Sequence, residues 1–117
     1  MSVLLPKDKM WGVANWASRA FFRDLEPWLD QAPTIADEIR FCIQASLDTL
    51  DLREANAATL RELSRLIDHA ITTNREKQGR DWEDPSFFPG YMQKLDELKA
   101  TVQDAITETA VGGMSST

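Results

Sequence analysis

Four stretches of the chain place their apolar residues at helical spacing, and this pattern limits the fold more than any other feature of the sequence. In each stretch the apolar residues recur three or four positions apart, which gathers them on one face of an α-helix. No segment alternates apolar and polar residues in a valine- or isoleucine-rich run, so we expect no β-strand. The chain of 117 residues fits a single domain. We therefore predict an all-α fold, a four-helix up-down bundle over residues 1–110, with a flexible tail over the glycine- and serine-rich residues 111–117.

Capping residues and prolines set the expected limits of the helices. Asp8 is a suitable N-cap for the first helix, and Pro27 ends it because proline cannot donate an amide and clashes with the preceding turn. Thr34, with Asp37 three residues later, is a variant of the capping box that opens a second helix. Asp51 is the expected cap of the third helix. The predicted helices run from residue 8 to about 25, from 34 onward, from 51 to Gly79, and from about 89 to 110.

The predicted core is formed by the apolar stripe of each helix. The second, third and fourth helices carry the clearest stripes, and their central members are Ile35, Ile39, Cys42, Leu60, Leu63, Ile67, Tyr91, Leu95 and Leu98.

Charge and cysteine content limit the environment and the partners. The net charge is −6 and the isoelectric point about 4.7, which argues against sequence-independent nucleic-acid binding, since that needs surplus cations. No apolar run approaches the ~20 residues that span a bilayer, and residues 1–10 do not form a secretory signal. A lone cysteine, Cys42, cannot form an internal disulfide, so we expect a cytoplasmic location.

Acidic and basic residues alternate in blocks along the chain. Residues 24–51 hold seven acids against Arg40 alone, whereas residues 1–23 and 52–80 are net basic and residues 81–117 are again net acidic. Successive helices of an antiparallel bundle would therefore be electrostatically complementary, although exposed pairs contribute only about 0–1 kcal/mol each.

The residue types of common catalytic and metal sites are sparse. His69 is the only histidine and Cys42 the only thiol, which cannot supply the four clustered ligands of a zinc site. We find no nucleophile elbow, no Walker loop and no dinucleotide fingerprint. We therefore expect no metal, no cofactor and no catalytic residues. A β-sheet, or a cleft in which His69 faces several carboxylates, would contradict this expectation.

The first helix carries more apolar surface than one core stripe needs. Trp11 and Phe22 lie on one shoulder of its core face, and Trp16 lies on the other. Either the helix is covered by neighbours on both sides, or one shoulder meets another chain.

The connection between the third and fourth helices is the second surplus feature. Its twelve residues, GRDWEDPSFFPG from Gly79 to Gly90, exceed the usual 2–8 of a helix bundle. Aromatic residues set among acids suit a docking segment for a basic partner, but they could equally close one end of the core. The candidate partner-binding residues are Asp81, Trp82, Glu83 and Asp84 of this loop, with Trp11 and Phe22 of the first helix.

These features favour a small acidic, non-catalytic domain that binds another protein. Inhibitors of basic enzymes, such as immunity proteins and antitoxins, have this size and charge, and they act by covering a basic surface. An alternative is a self-associating scaffold domain, a homodimer joined through the first helix. A third possibility is a small ligand enclosed between aromatic residues, although the sequence offers no polar group to orient it.

Overall fold

A computed structural model describes residues 2–47, 49–77, 80, 82 and 84–115, with the backbone alone for 15, 85 and 111–115. Within this part the chain is mostly helical and contains four α-helices, as predicted, together with a small three-stranded sheet. The helices are α1 (Asn15–Leu25), α2 (Pro33–Gln44), α3 (Ala57–Lys77) and α4 (Phe88–Ser115), and the strands are β1 (Ser2–Leu4), β2 (Met10–Gly12) and β3 (Thr49–Asp51).

The sheet corrects the prediction that no strand is present. β1 is the central strand, antiparallel to β2 and parallel to β3, and Val3 aligns with both Trp11 and Leu50. These three residues are buried while most of their neighbours are exposed, so one face of the sheet joins the core. Each strand has only three residues, too few to show the period-two alternation that identifies a strand in a sequence.

The hairpin between β1 and β2 also corrects the predicted start of the first helix. Lys7 and Asp8 have positive φ angles of 63° and 61°, and the Leu5 amide donates to the Lys9 carbonyl at 2.9 Å. Aspartate tolerates the left-handed region better than most residues. Asp8 therefore forms a turn instead of an N-cap, and α1 begins seven residues later. Its end at Leu25 is as predicted, because a 3₁₀ segment, Glu26–Gln31, follows with Pro27 in its first turn.

The start of α2 is capped by another helix and not by its own side chain. The helix begins at Pro33, and the predicted capping box at Thr34 is absent. Instead, the Thr34 amide donates to Oε1 of Glu62 on α3 at 3.1 Å. Glu62 is buried, with 6% of its surface exposed. A carboxylate at a helix N-terminus satisfies an unpaired amide and interacts favourably with the helix dipole.

The cap of α3 also differs from the prediction. Asn56 accepts hydrogen bonds from the Thr59 amide at 2.9 Å and the Thr59 hydroxyl at 3.0 Å. Asp51, the predicted cap, lies in β3 and pairs with Arg53. The helix ends at Lys77, and the predicted stop at Gly79 falls outside the described residues.

α3 is the central helix, since it contacts α1, α2 and α4. The predicted stripes are confirmed as core: Ile35, Ile39 and Cys42 of α2, Leu60, Leu63 and Ile67 of α3, and Tyr91, Leu95 and Leu98 of α4 are all buried. Among the described helices, none has the length and apolar character needed to cross a membrane.

Replacement of Glu62 tests the inter-helix cap. We expect Glu62→Ala to lower the free energy of unfolding by about 1 kcal/mol, because the amide at the start of α2 loses its acceptor. Glu62→Gln keeps an acceptor oxygen and should lose less. The measurement is urea unfolding followed by circular dichroism.

Glu76→Ala is the matched control, since Glu76 is an exposed residue of the same helix, where substitutions usually change stability by less than about 0.5 kcal/mol. Equal midpoints for Glu62→Ala and Glu76→Ala would show that the cap does not stabilise α2.

Candidate functional site

The first helix's predicted interface residues lie in or against the core. Trp11 belongs to β2 and is only 4% exposed, its Nε1 donates to the Lys94 carbonyl at 2.9 Å, and its ring lies 5.5 Å from that of Phe21. Phe22 is half-buried and packs against the same core. Trp11 is therefore a core residue and not an interface residue, because its indole is buried, packed and hydrogen-bonded.

The loop before α4 is anchored by its tryptophan. The half-buried Trp82 ring lies 5.1 Å from Tyr91 and 6.4 Å from Phe88, which is the arrangement expected if this segment closes one end of the core. Asp84 is exposed and accepts hydrogen bonds from the Ser86 hydroxyl and amide, which lower the pKa of its carboxyl group. Asp81 and Glu83 lie outside the described residues.

Two exposed aromatic rings extend this cluster to the surface. Trp16 of α1 lies 5.0 Å from Phe87 and 5.7 Å from Trp82. Trp16 is 41% exposed and Phe87 48% exposed. We call Trp16, Trp82 and Phe87 the aromatic patch. Trp16 lies on the second shoulder of α1, and Trp82 and Phe87 cover it only partly. This shoulder therefore still presents apolar surface to the outside.

A single carboxylate joins three helices beneath the patch. Asp24 of α1 accepts a hydrogen bond from the Tyr91 hydroxyl of α4 at 2.7 Å and from Nδ2 of Asn74 of α3 at 2.9 Å, both at Oδ2. Arg23 lies 3.5 Å from its other oxygen. Burial, followed by the nearby Asp24 charge, raises the pKa of the Tyr91 hydroxyl well above its ordinary range. The phenol therefore stays protonated and remains a hydrogen-bond donor.

A cleft of roughly 430 Å³ opens beside this network. One tryptophan, Trp28 of the 3₁₀ segment, stacks on His69 with ring centres 4.0 Å apart and planes 2° from parallel. His69 is thus half-buried, with one face covered by an indole. We call this space the Trp28 cleft, and its lining includes Arg23, Asp24, Trp28, Asn74, Lys77 and Trp82.

The outer side of α2 combines acids with an exposed phenylalanine. Phe41 is 59% exposed and shares a helix face with Asp37 and Glu38, one turn earlier. Glu38 also lines a second cleft with Asp51 and Glu54. We call Asp37, Glu38, Phe41, Asp51 and Glu54 the acidic face.

Two arginines neutralise part of the acidic face. Arg40 lies 3.9 Å from Asp37 and 2.9 Å from Asp30. Arg53 lies 2.8 Å from Asp51, and hydrogen bonds from Arg53 lower the pKa of the Asp51 carboxyl group to about 2. Asp51 is therefore ionised at any physiological pH.

Reactive groups are dispersed in the described part of the chain. No group of three or more histidine, cysteine or acidic side chains there is arranged to hold a metal ion. Cys42 is buried, its thiol donates to the Thr49 carbonyl at 3.5 Å, and burial raises the pKa of this thiol. A protonated, buried thiol is a poor nucleophile.

Sequence reasoning missed Asp24, Asn74 and Trp28. A signal existed for Asn74, because it continues the apolar register of Leu63, Ile67 and Ala70 on α3, where an amide must find a partner. Asp24 and Tyr91 are 67 residues apart, and no local pattern links them.

Comparison with known proteins gave no relative. No protein-family model matches the chain, and neither the curated proteins nor the solved structures include a significant match to it. The geometry described above therefore carries the functional inference.

The sole tyrosine makes the Asp24 network directly measurable. We expect the Tyr91 phenol of the folded protein to resist ionisation above its ordinary pKa of 10.0, whereas the protein unfolded in guanidinium titrates normally. The pKa of the Tyr91 phenol is higher in the folded than in the unfolded protein. The contribution of the protonated phenol to the free energy of unfolding is therefore complete below about pH 10 and is lost as the pH rises further. Ultraviolet difference absorbance of the phenolate, with unfolding followed in parallel, measures both effects.

Tyr91→Phe provides the comparison. Its stability should fall less steeply above about pH 10 than that of the wild type, because no phenol remains to titrate. Normal titration of Tyr91 while the protein is still folded would contradict the buried hydrogen bond.

Proposed function

We propose that this protein is a non-catalytic binding domain that docks on a basic protein through the acidic face. The observation that supports this most directly is Phe41, a large apolar side chain that is 59% exposed on a helix face bearing acids. Aromatic side chains are frequent energetic anchors of interfaces. Surrounding charges increase the rate of association and select partners of opposite charge.

Charge complementarity supports the choice of a basic partner. The acidic face lies mainly in the segment 24–51, where seven acids oppose one arginine, and the whole chain has a net charge of −6. A domain of this kind would act by covering a positively charged surface, such as the substrate cleft of a nuclease. Immunity proteins and antitoxins inhibit in this manner, and we propose this class for the chain.

The sequence-based expectation of no catalytic residues assumed a fold without a β-sheet, and the sheet of β1, β2 and β3 contradicts that assumption. The all-helical fold therefore does not support the proposal that the domain is non-catalytic. That proposal is supported instead by the chemistry of the two most reactive side chains. Cys42 is buried with a raised thiol pKa, and one face of His69 is covered by Trp28.

Two further proposals concern arrangement and location. The contacts of α3 with the other three helices favour an up-down bundle. The lone cysteine favours a reducing, cytoplasmic location.

A homodimer is the second candidate, and the aromatic patch favours it. Trp16 and Phe87 are adjacent, both are more than 40% exposed, and they extend the apolar shoulder of α1. An isologous dimer would bury this surface against its own copy. This interface would use Trp16 of α1 and Phe87 before α4, whereas Phe41 belongs to α2, so substitutions separate the two candidates.

Phe41→Ser tests the leading proposal. We expect the protein, used as bait in extracts of its own host, to retain a basic partner at stoichiometric yield, and Phe41→Ser to weaken that complex about 30-fold or more. Asp37→Asn with Glu38→Gln should mainly slow association and reduce its salt dependence. Surface plasmon resonance with the recovered partner measures both rates.

Phe87→Ser is the matched control, because it removes another exposed phenylalanine, 48% exposed against 59% for Phe41, from the aromatic patch. Recovery of partners that bind the wild type and Phe41→Ser equally well would exclude the acidic face as the docking site.

Phe87→Glu tests the dimer. If the aromatic patch forms a two-fold interface, sedimentation equilibrium should show a wild-type dimer that Phe87→Glu converts to monomer, because the substitution buries a charge. The leading proposal expects a wild-type monomer instead. A dimer that persists in Phe87→Glu would exclude this patch as the interface.

A further inference from the structure

Two arginines of α3, Arg61 and Arg65, form a pair of neighbouring exposed cations. They are four positions apart on the helix, so their side chains lie one turn from each other. Like charges at this spacing repel and destabilise a helix. Among the residues that the structure describes, neither guanidinium has a hydrogen bond, an ion pair or a ring contact. The pair is therefore an uncompensated positive site in a protein of net charge −6.

The carboxylates of α3 that are nearest in sequence are engaged elsewhere. Glu62 is buried and accepts the hydrogen bond from the Thr34 amide of α2. Asp68 forms an ion pair with Lys99 of α4. The chain has 19 acidic residues against 13 basic ones, so carboxylates that could neutralise the pair are in surplus. Within the described part of the chain, none of them is placed against it.

The helix dipole explains the other exposed cations of α3 but does not explain this pair. Arg75 and Lys77 lie in the last turn, where the partial negative charge of a helix C-terminus stabilises cations. Arg61 and Arg65 lie in the first half of a helix that begins at Ala57, and the dipole gives cations no stabilisation there. An arrangement that breaks a local rule without a structural gain is typical of functional residues.

The geometry of the two side chains favours one kind of anion. Each guanidinium is planar and presents its N–H donors as a fork that can bind two oxygens. A carboxylate has two oxygens in one plane and is matched by a single fork. A phosphate group has three terminal oxygens and a charge near −2, so it can accept hydrogen bonds from two arginines at once. Ala58, on the same side of the helix, is exposed and too small to obstruct such a group.

We propose that Arg61 and Arg65 together bind one phosphate group, supplied by free inorganic phosphate or by a phosphorylated side chain. The phosphate would lie between the two guanidinium groups and remove their mutual repulsion. The site shares no residue with the acidic face or the aromatic patch, and it does not depend on the function proposed above.

Nuclear magnetic resonance titrations test the proposal. The Nε resonances of Arg61 and Arg65 report directly on contact with an anion. The probes are inorganic phosphate, N-acetyl-O-phosphoserine amide and acetate, each added at neutral pH and at constant ionic strength. We expect saturable shifts with both phosphates in the millimolar range and about tenfold weaker binding of acetate. The phosphate that binds more tightly distinguishes a free anion from a phosphorylated side chain.

Variants locate the binding site. Arg61→Gln and Arg65→Gln should each weaken phosphate binding about tenfold, as expected for loss of a charged hydrogen-bond donor. Arg75→Gln is the matched control, because it removes the same charge from the same helix outside the pair, and it should leave the affinity unchanged. All three arginines are exposed, and thermal unfolding followed by circular dichroism verifies that each variant is folded.

Unshifted Nε resonances in a large excess of phosphate would overturn the proposal. Acetate that binds as tightly as phosphate would also overturn it, because the pair would then not select a phosphate group. Equal losses of affinity in Arg75→Gln and Arg61→Gln would show that phosphate responds to the overall charge of the protein and not to this pair.

Discussion

The arrangement of the helices depends on the side chain of Asp24. One of its oxygens accepts hydrogen bonds from α3 and α4 while the residue itself lies on α1, so a single atom links three helices. A half-buried carboxylate is costly unless hydrogen bonds and a nearby cation compensate it. Tyr91, Asn74 and Arg23 provide that compensation, and Tyr91 and Asn74 can do so only when α4 and α3 pack against α1. The hydrogen bonds therefore make the packing specific, whereas the apolar stripes make it stable.

The same network organises the surface above it. It fixes Tyr91, against which Trp82 packs, and Trp82 in turn contacts Trp16 of the aromatic patch and lines the Trp28 cleft. The acidic face lies on α2, which is held by a different buried carboxylate, Glu62. The domain thus carries an acidic surface with an exposed aromatic anchor on α2, and a cleft beside the Asp24 network.

Periodicity predicted the helices well because it reports on local geometry. The stripes of α3 and α4 are buried as expected, and the end of α1 before Pro27 follows from the covalent structure of proline. Helix starts were predicted poorly, since two of the three predicted side-chain caps, Asp8 and Asp51, serve a turn and a strand. The cap of α2 comes from Glu62, 28 residues away from Thr34. Three-residue strands gave no usable pattern, and their pairing depends on Val3 meeting Leu50 across 47 residues.

The candidate sites were less predictable from the sequence, because their contacts join residues that are far apart in the chain. Trp82 stood out as an aromatic residue among acids, but composition could not show that the Trp11 indole donates to the Lys94 carbonyl of α4. The cleft brings Asn74 beside Asp24, 50 residues earlier in the chain, and only the tertiary structure makes this juxtaposition visible.

The coupling energy between Asp24 and Tyr91 is the most direct measure of whether this network holds the helices together. It follows from the unfolding free energies of the wild type, Asp24→Ala, Tyr91→Phe and the double variant in urea. We expect a coupling of about 1 kcal/mol or more, as found for residues that share a buried hydrogen bond, and additive losses when Tyr91→Phe is combined with a distant substitution. Losses for Asp24→Ala and Tyr91→Phe that add within about 0.3 kcal/mol would contradict the central role assigned to this carboxylate.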